Sequence, residues 1–241
     1  DTMSALWQLD FFLIIEQYLV LFGLRKDPHN NFEELQVLFK NNGNPPLYFF
    51  LFAKNNFYDK GASVHNFSFR KLIKNTADLN NVSLLASYAA QQQSKYLNRE
   101  CQQLKKLIIK KIDSIRFNYG LLTASSSYYH LLEQEIQKDF SMGYTEEIGY
   151  RASTAVPFYF YDLNNDLQTS LKIHPVVADE SGLMKISSQK AFKKLIELYE
   201  NLPTSSALHA VSFSNVIFNV DRRKNSWRDQ FINYIQYHAR Q

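Results

Sequence analysis

The sequence predicts an α/β protein with a mostly parallel sheet, closed or distorted into a (β/α) barrel. Three observations carry that expectation. Apolar runs of strand length alternate with stretches of helical period, no Gly/Ser/Pro-rich linker interrupts the alternation, and 241 residues suffice for about seven or eight βα units in a single domain. A composition that is 45% hydrophobic and 15% aromatic supplies a sizeable core.

Ala5 to Leu13 is the first strand candidate and Asn31 to Asn41 the first helix. Leu47 to Ala53 (LYFFLFA) is the clearest strand: continuous, aromatic-rich and entered through Asn44-Pro45-Pro46, which points to burial on both faces. Phe67 to Thr76 reads as a helix and Val82 to Tyr88 as a strand. From Ala89 to Ile112, Leu97, Cys101, Leu104, Ile108 and Ile112 recur three or four apart, one stripe on one helix face. Ser114 to Tyr119 is then a strand, and Thr123 to Lys138 a helix. Ser170 to Val177 is a strand whose ladder stops at Pro175, which has no N–H to donate. Ser187 to Asn201 is a helix with Ser187 or Ser188 as N-cap, Ala207 to Phe213 a strand, and Ser226 to Ala239 the last helix.

Composition removes several function classes. A lone Cys101 can form neither an internal disulfide nor a thiolate zinc cage, and points to a reducing, cytoplasmic compartment. It falls on the helix stripe and reads as an inert core thiol. The apolar stretch Leu6 to Leu24 contains Asp10 and Glu16, each costing roughly 3 kcal/mol at a bilayer centre, so no membrane span is expected. The start also lacks the basic region and small-residue cleavage site of a signal peptide. No GxGxxG or GxxxxGKS/T cradles a phosphate and no GxSxG marks a nucleophilic serine. A net charge of +4 and pI near 8.9 are a mild surplus. Lys105, Lys106, Lys110 and Lys111, like Arg222, Arg223, Lys224 and Arg228, read as solvated faces, and no nucleic-acid partner is expected.

Chemistry in such barrels sits at the C-terminal strand ends. The residues there are Gln8 and Asp10, Leu85 to Tyr88, Arg116 to Tyr119, Arg151 to Asp162, His174 and His209. None of the six histidines is spaced as HxH, HxxxH or HExxH, which excludes a helical zinc site. With Ile173 packed among the helices, His174 turns into the barrel mouth, within about 10 Å of Asp10. His209, in ALHAVSF, is placed similarly. RASTAVPFYFYD (Arg151 to Asp162) is either an aromatic strand edge with a turn or a platform on which sugar rings stack.

DFSMGYTEEIGYRASTAVPFYFYDL (Asp139 to Leu163), followed by LKIHPVV, is similar to the C-terminal half of polysaccharide deacetylase-like proteins of the NodB-homology fold, common among Bacteroidetes. FGLRKDPHNNFEEL, NPPLYFFLFAKNNFYDK, IRFNYG, LHAVSFSN and NSWRDQF fall in the family's order, so the resemblance spans nearly the whole chain. It implies a distorted (β/α)7 barrel. Enzymes of the family hold a divalent metal with one Asp and two His, and use an Asp base oriented by an Arg and a His acid. Asp10, Arg116, Tyr119, His174 and His209 match that pattern, whereas Gln8 replaces the base, and Leu85 and Asn118 replace histidines. The resemblance therefore implies a catalytically degenerate carbohydrate deacetylase homologue, with no metal or other cofactor expected. His174, Asp10 and Arg116 are the remnants of its catalytic site. Arg151, Tyr119, Tyr159, Tyr161 and His209 are its candidates for binding a carbohydrate or glycan precursor. If zinc binds, Asp10 and His174 are the ligands. The alternatives are an active metal-dependent hydrolase that deacetylates N- or O-acetylated sugars with an altered site, and a basic interaction module.

Overall fold

A computed structural model describes residues 18–19, 24, 30–43, 45–120, 122, 124–203, 206–218 and 225–239. Helix α1 (Phe32–Asn42) leads into strand β1 (Leu47–Leu51), and α2 (Phe67–Leu79) into β2 (Asn81–Ala86). The short α3 (Tyr88–Gln92) and long α4 (Ser94–Ile108) lead into β3 (Ser114–Phe117), and α5 (Ala124–Glu133) into β4 (Lys138–Asp139). The hairpin β5 (Phe158–Asp162) and β6 (Leu167–Ile173) follows, then β7 (Val176–Asp179), α6 (Glu180–Leu183), α7 (Ser188–Glu200), β8 (Ala210–Ser212) and α8 (Asn225–Ala239). The main sheet runs β1-β2-β3-β4-β6-β5, parallel throughout except for β5 on β6. Strands β7 and β8 form a second, parallel pair.

Register and alternation build the core. Phe50 pairs with Leu84, and Leu84 with Ile115, so these residues share one face of the sheet. Onto it α2, α4 and α5 lay Ile73, Leu97, Leu104 and Leu131. All four are fully buried, each contributing about 1.5–3 kcal/mol. A second cluster covers β7, where Val177 and Ala178 pack with Leu35, Phe192, Leu195, Phe231 and Tyr234. On α4 the stripe Leu97, Cys101, Leu104, Ile108 is buried, and burial pushes the Cys101 thiol up to about 12. That helix ends on Ile109 in the left-handed region (φ 55) with its side chain 87% exposed.

Several expectations need correction. Ala89 to Ile112 is not one helix, because an extended Gln93 (φ −143, ψ 126) divides α3 from α4. Ile112 stays buried beyond the helix end as the chain returns toward β3, so periodicity reported burial rather than backbone continuity. The helix expected to reach Lys138 ends at Glu133: Glu135 is left-handed (φ 57) and Lys138 pairs within the sheet. Alternation lapses between β4 and β6, where RASTAVPFYFYD forms a loop and the antiparallel edge strand β5.

The strand expected from Ser170 to Val177 is two strands in two sheets. His174 N–H donates to Asp139 O and Val176 N–H to Met142 O, so the chain changes sheets across Pro175. At that crossing Gly143 passes so near that a Cβ on it would lie 2.9 Å from Val176 O. The strand candidate Ala5 to Leu13 and the basic run Arg222 to Lys224 lie outside the described residues. Among the described residues no helix is long and apolar enough to cross a membrane.

Candidate functional site

The C-terminal ends of β1, β2 and β3 carry tyrosines over buried carboxylates. After β1, Asn56 Oδ1 accepts from the N–H groups of Tyr58 (2.7 Å) and Asp59 (2.8 Å). This turn leaves Tyr58 half exposed and buries Asp59 at 1% exposure. After β2, Tyr88 N–H donates to both oxygens of Asp59 at 3.0 Å. The Ser87 N–H and hydroxyl donate to Glu100 at 3.1 and 2.6 Å. Two carboxylates thus satisfy donors at the start of α3, where orphan N–H groups favour negative charge. Burial pushes Glu100 up to about 7, against the lowering effect of the Ser87 hydrogen bonds.

After β3, Asn118 Nδ2 reaches Asp59 Oδ1 at 3.5 Å, and the Tyr119 hydroxyl donates to the Tyr58 carbonyl. The Tyr58 and Tyr88 rings stack with centroids 4.1 Å apart, and Tyr119 meets Tyr88 edge-on at 5.9 Å. Phe57 continues the cluster against Tyr58 at 5.2 Å. The result is an aromatic surface edged by phenol hydroxyls and the Asn118 amide, with the Asp59 carboxylate buried beneath it and engaged by internal donors.

Arg116 lies on the other face of β3 from the core residues Ile115 and Phe117, in register with Leu85. It is buried, donating to Asp179 Oδ2 at 2.6 Å and to Phe140 O at 2.7 Å. His174 stacks on the Phe140 ring at 4.6 Å, and Phe140 in turn meets Phe49. The buried His174 Nε2 has no hydrogen-bond partner among the described residues. Burial, then the ammonium groups of Lys172 and Lys138, hold its pKa down at about 4, so the ring is neutral at pH 7.

Arg116 and His174 thus both contact Phe140, one through its carbonyl and the other through its ring, while Tyr119 belongs to the tyrosine rim. Gln8 and Asp10 lie outside the described residues, so the expected approach of Asp10 to His174 does too. Arg151 is exposed and donates to Gly120 O at 3.0 Å, next to the rim. Tyr159 and Tyr161 stand on the edge strand β5, under Lys172 and bonded to Asp166 respectively, with no ring contact to the rim tyrosines. His209, expected at a C-terminal strand end, instead immediately precedes β8 and so lies at that strand's N-terminal end. It sits among Tyr199, Tyr234 and His238, and burial holds its pKa down at about 4.

Sequence reasoning passed over Asp59, Glu100 and Asp179. Glu100 had a signal, a charge on the apolar stripe beside Cys101. Asp179 had one too: an acid at a strand end just before a helix, whose N-cap it is, accepting from Glu180 N–H. Asp59 had none beyond the paired asparagines that fold its loop.

Of the positions that the family's metal enzymes would use, Asp10 lies outside the described residues. Leu85 offers an alkyl group, and Asn118 an amide directed at Asp59. Among the described residues no three His, Cys, Asp or Glu side chains converge to hold a metal ion. What is defined is a mixed α/β protein whose mostly parallel sheet carries a tyrosine-rich rim. No protein-family model matches the chain, and no curated protein matches it.

Proposed function

We propose that this chain is a carbohydrate-binding homologue of the polysaccharide deacetylases, folded as a distorted (β/α)7 barrel and lacking their hydrolytic chemistry. The observation that carries the reading is the stacked Tyr58–Tyr88 pair with Tyr119, set over Asp59 and Asn118 at the ends of three adjacent parallel strands. Pyranose rings lay C–H faces on aromatic faces, and their hydroxyls need acceptors and donors of the kind an amide and phenols supply; the buried Asp59 fixes the Tyr88 backbone and the Asn118 side chain from beneath. Loss of hydrolysis is supported by Gln8, Leu85 and Asn118, and by Arg116, whose guanidinium is held by Asp179. The barrel reading is supported by the parallel order of β1, β2, β3, β4 and β6.

Calorimetric titration with N-acetylglucosamine oligomers and O-acetylated xylo-oligosaccharides, run beside an acetate-release assay, tests the reading. Saturable binding without acetate release is the expected result. Chelator-sensitive acetate release would replace it with the altered hydrolase built on Asp10 and His174. Absence of binding across both glycan series would remove the carbohydrate reading.

A further inference from the structure

We propose that the corner formed by the C-terminal ends of α2 and α4 docks on a bilayer surface that bears anionic lipids. The two helices lead into adjacent strands, so Leu79, before β2, and Ile109, before β3, share the N-terminal edge of the sheet. Lys110 draws the ends together by donating to the Ala77 carbonyl. Both apolar side chains stand in water, Leu79 at 75% and Ile109 at 87% exposure. Around them Lys74, Lys105, Lys106, Lys110 and Lys111 are all exposed. Among the described residues none of these five is in an ion pair. Asp78 is the sole exposed acid of the two helices, and Asp113 nearby is engaged by Lys138.

Lysines in a last helical turn have an ordinary role, answering the negative end of the helix dipole. That role does not call for Ile109. Its left-handed position is one that glycine fills without strain, and a β-branched residue there is an outlier. The fold nevertheless holds a large apolar side chain there, pointed into solvent beside the cations. Apolar tips ringed by ammonium groups match the two layers of a bilayer surface, phosphates for the lysines and the acyl boundary for Leu79 and Ile109. A nucleic acid or an acidic glycan would match the lysines but offers no layer for the tips. The corner lies at the strand ends opposite the tyrosine rim, so docking there leaves the rim facing away from the membrane.

The test is co-sedimentation of the full chain with vesicles of phosphatidylcholine alone and of phosphatidylcholine with about a third phosphatidylglycerol. Binding to the anionic vesicles only, weakened by salt, is expected. Lys105→Glu with Lys106→Glu should weaken it about tenfold or more, and Ile109→Gly several-fold. Because glycine relieves the left-handed strain, Ile109→Gly should melt at an equal or higher temperature, which separates lost docking from lost folding. No binding to anionic vesicles at low salt would overturn the proposal. So would vesicle binding that Ile109→Gly leaves unchanged, or salt-dependent binding to duplex DNA or heparin in place of vesicles.

Discussion

Arg116 and Asp179, 63 positions apart in the chain, meet at 2.6 Å and join two sheets that share no ladder. Their side chains are only 10% and 20% exposed, so each is the chief compensation for burying the other. Removing one partner of such a pair costs about 3–5 kcal/mol, because the remaining charge is stranded. Asp179→Ala, which also loses the N-cap of α6, should therefore destabilise the fold by about 3 kcal/mol or more in urea unfolding. The double variant Arg116→Met/Asp179→Leu should lose clearly less than the sum of the two single changes. Additive losses would show that the pair is not coupled.

Glu100 should impose a pH dependence of the sense opposite to that of an ordinary surface carboxylate. Its pKa rises from 4.5 to about 7 on folding, so the folded chain holds a proton that the unfolded chain releases between those values. Stability from this group is then fully present below pH 4.5 and lost as pH climbs toward 7, by on the order of 3 kcal/mol. Glu100→Gln keeps a donor and an acceptor for Ser87 but cannot titrate, so its stability profile should be flatter over that window. Comparing the two profiles cancels His174 and His209, whose depressed pKa values act the other way, losing stability as pH falls from 6.5 toward about 4. Parallel profiles would show that Glu100 is ionised throughout.

Tyr88→Ala deletes the middle ring of the rim, whose stacked and edge-on contacts reach Tyr58 and Tyr119. Oligosaccharide affinity should fall by about 1–3 kcal/mol, roughly tenfold or more, if sugars stack there. Tyr159→Ala, on the edge strand, should leave affinity unchanged. Equal losses in both variants would move the binding surface away from the rim.

Gly143→Ala tests the crossing beside Pro175. The added methyl would sit 2.9 Å from Val176 O and 3.1 Å from Val176 Cβ, and backbone cannot give way as a flexible side chain can. A loss of about 1–3 kcal/mol is expected, read as a lowered midpoint in denaturant. Gly149→Ala is a poor control because that residue has φ 153; Gly61→Ala, with only a Leu51 methyl at 3.5 Å, should be nearly neutral.

How much of this was legible depends on the range of the interaction. The strand expected over Leu47 to Ala53 and the helix over Ser187 to Asn201 match β1 and α7 to within two residues, because their patterns are local, an apolar run after two prolines and a stripe of helical period. The break at Gln93 and the change of sheet after His174 were not, since burial on both sides of each break kept the pattern unbroken. Lys138–Asp139 is a strand only because Ile115 and Ile173 flank it, a fact held by residues more than twenty positions away. At the site, Arg116 and Tyr119 were singled out from one short motif. Their partners Asp179 and Tyr58 come from other elements, and no spacing within the chain announces such meetings.

Cys101 has a practical side. It is 8% exposed, and its thiol is pushed up to about 12, so at neutral pH it offers neither access nor thiolate to a maleimide or a mild oxidant. As the one sulfhydryl of these 241 residues, it leaves a silent background. A single exposed change such as Tyr159→Cys would take a fluorophore or spin label alone. Distances across the molecule could then be followed in solution without first stripping a residue from the core.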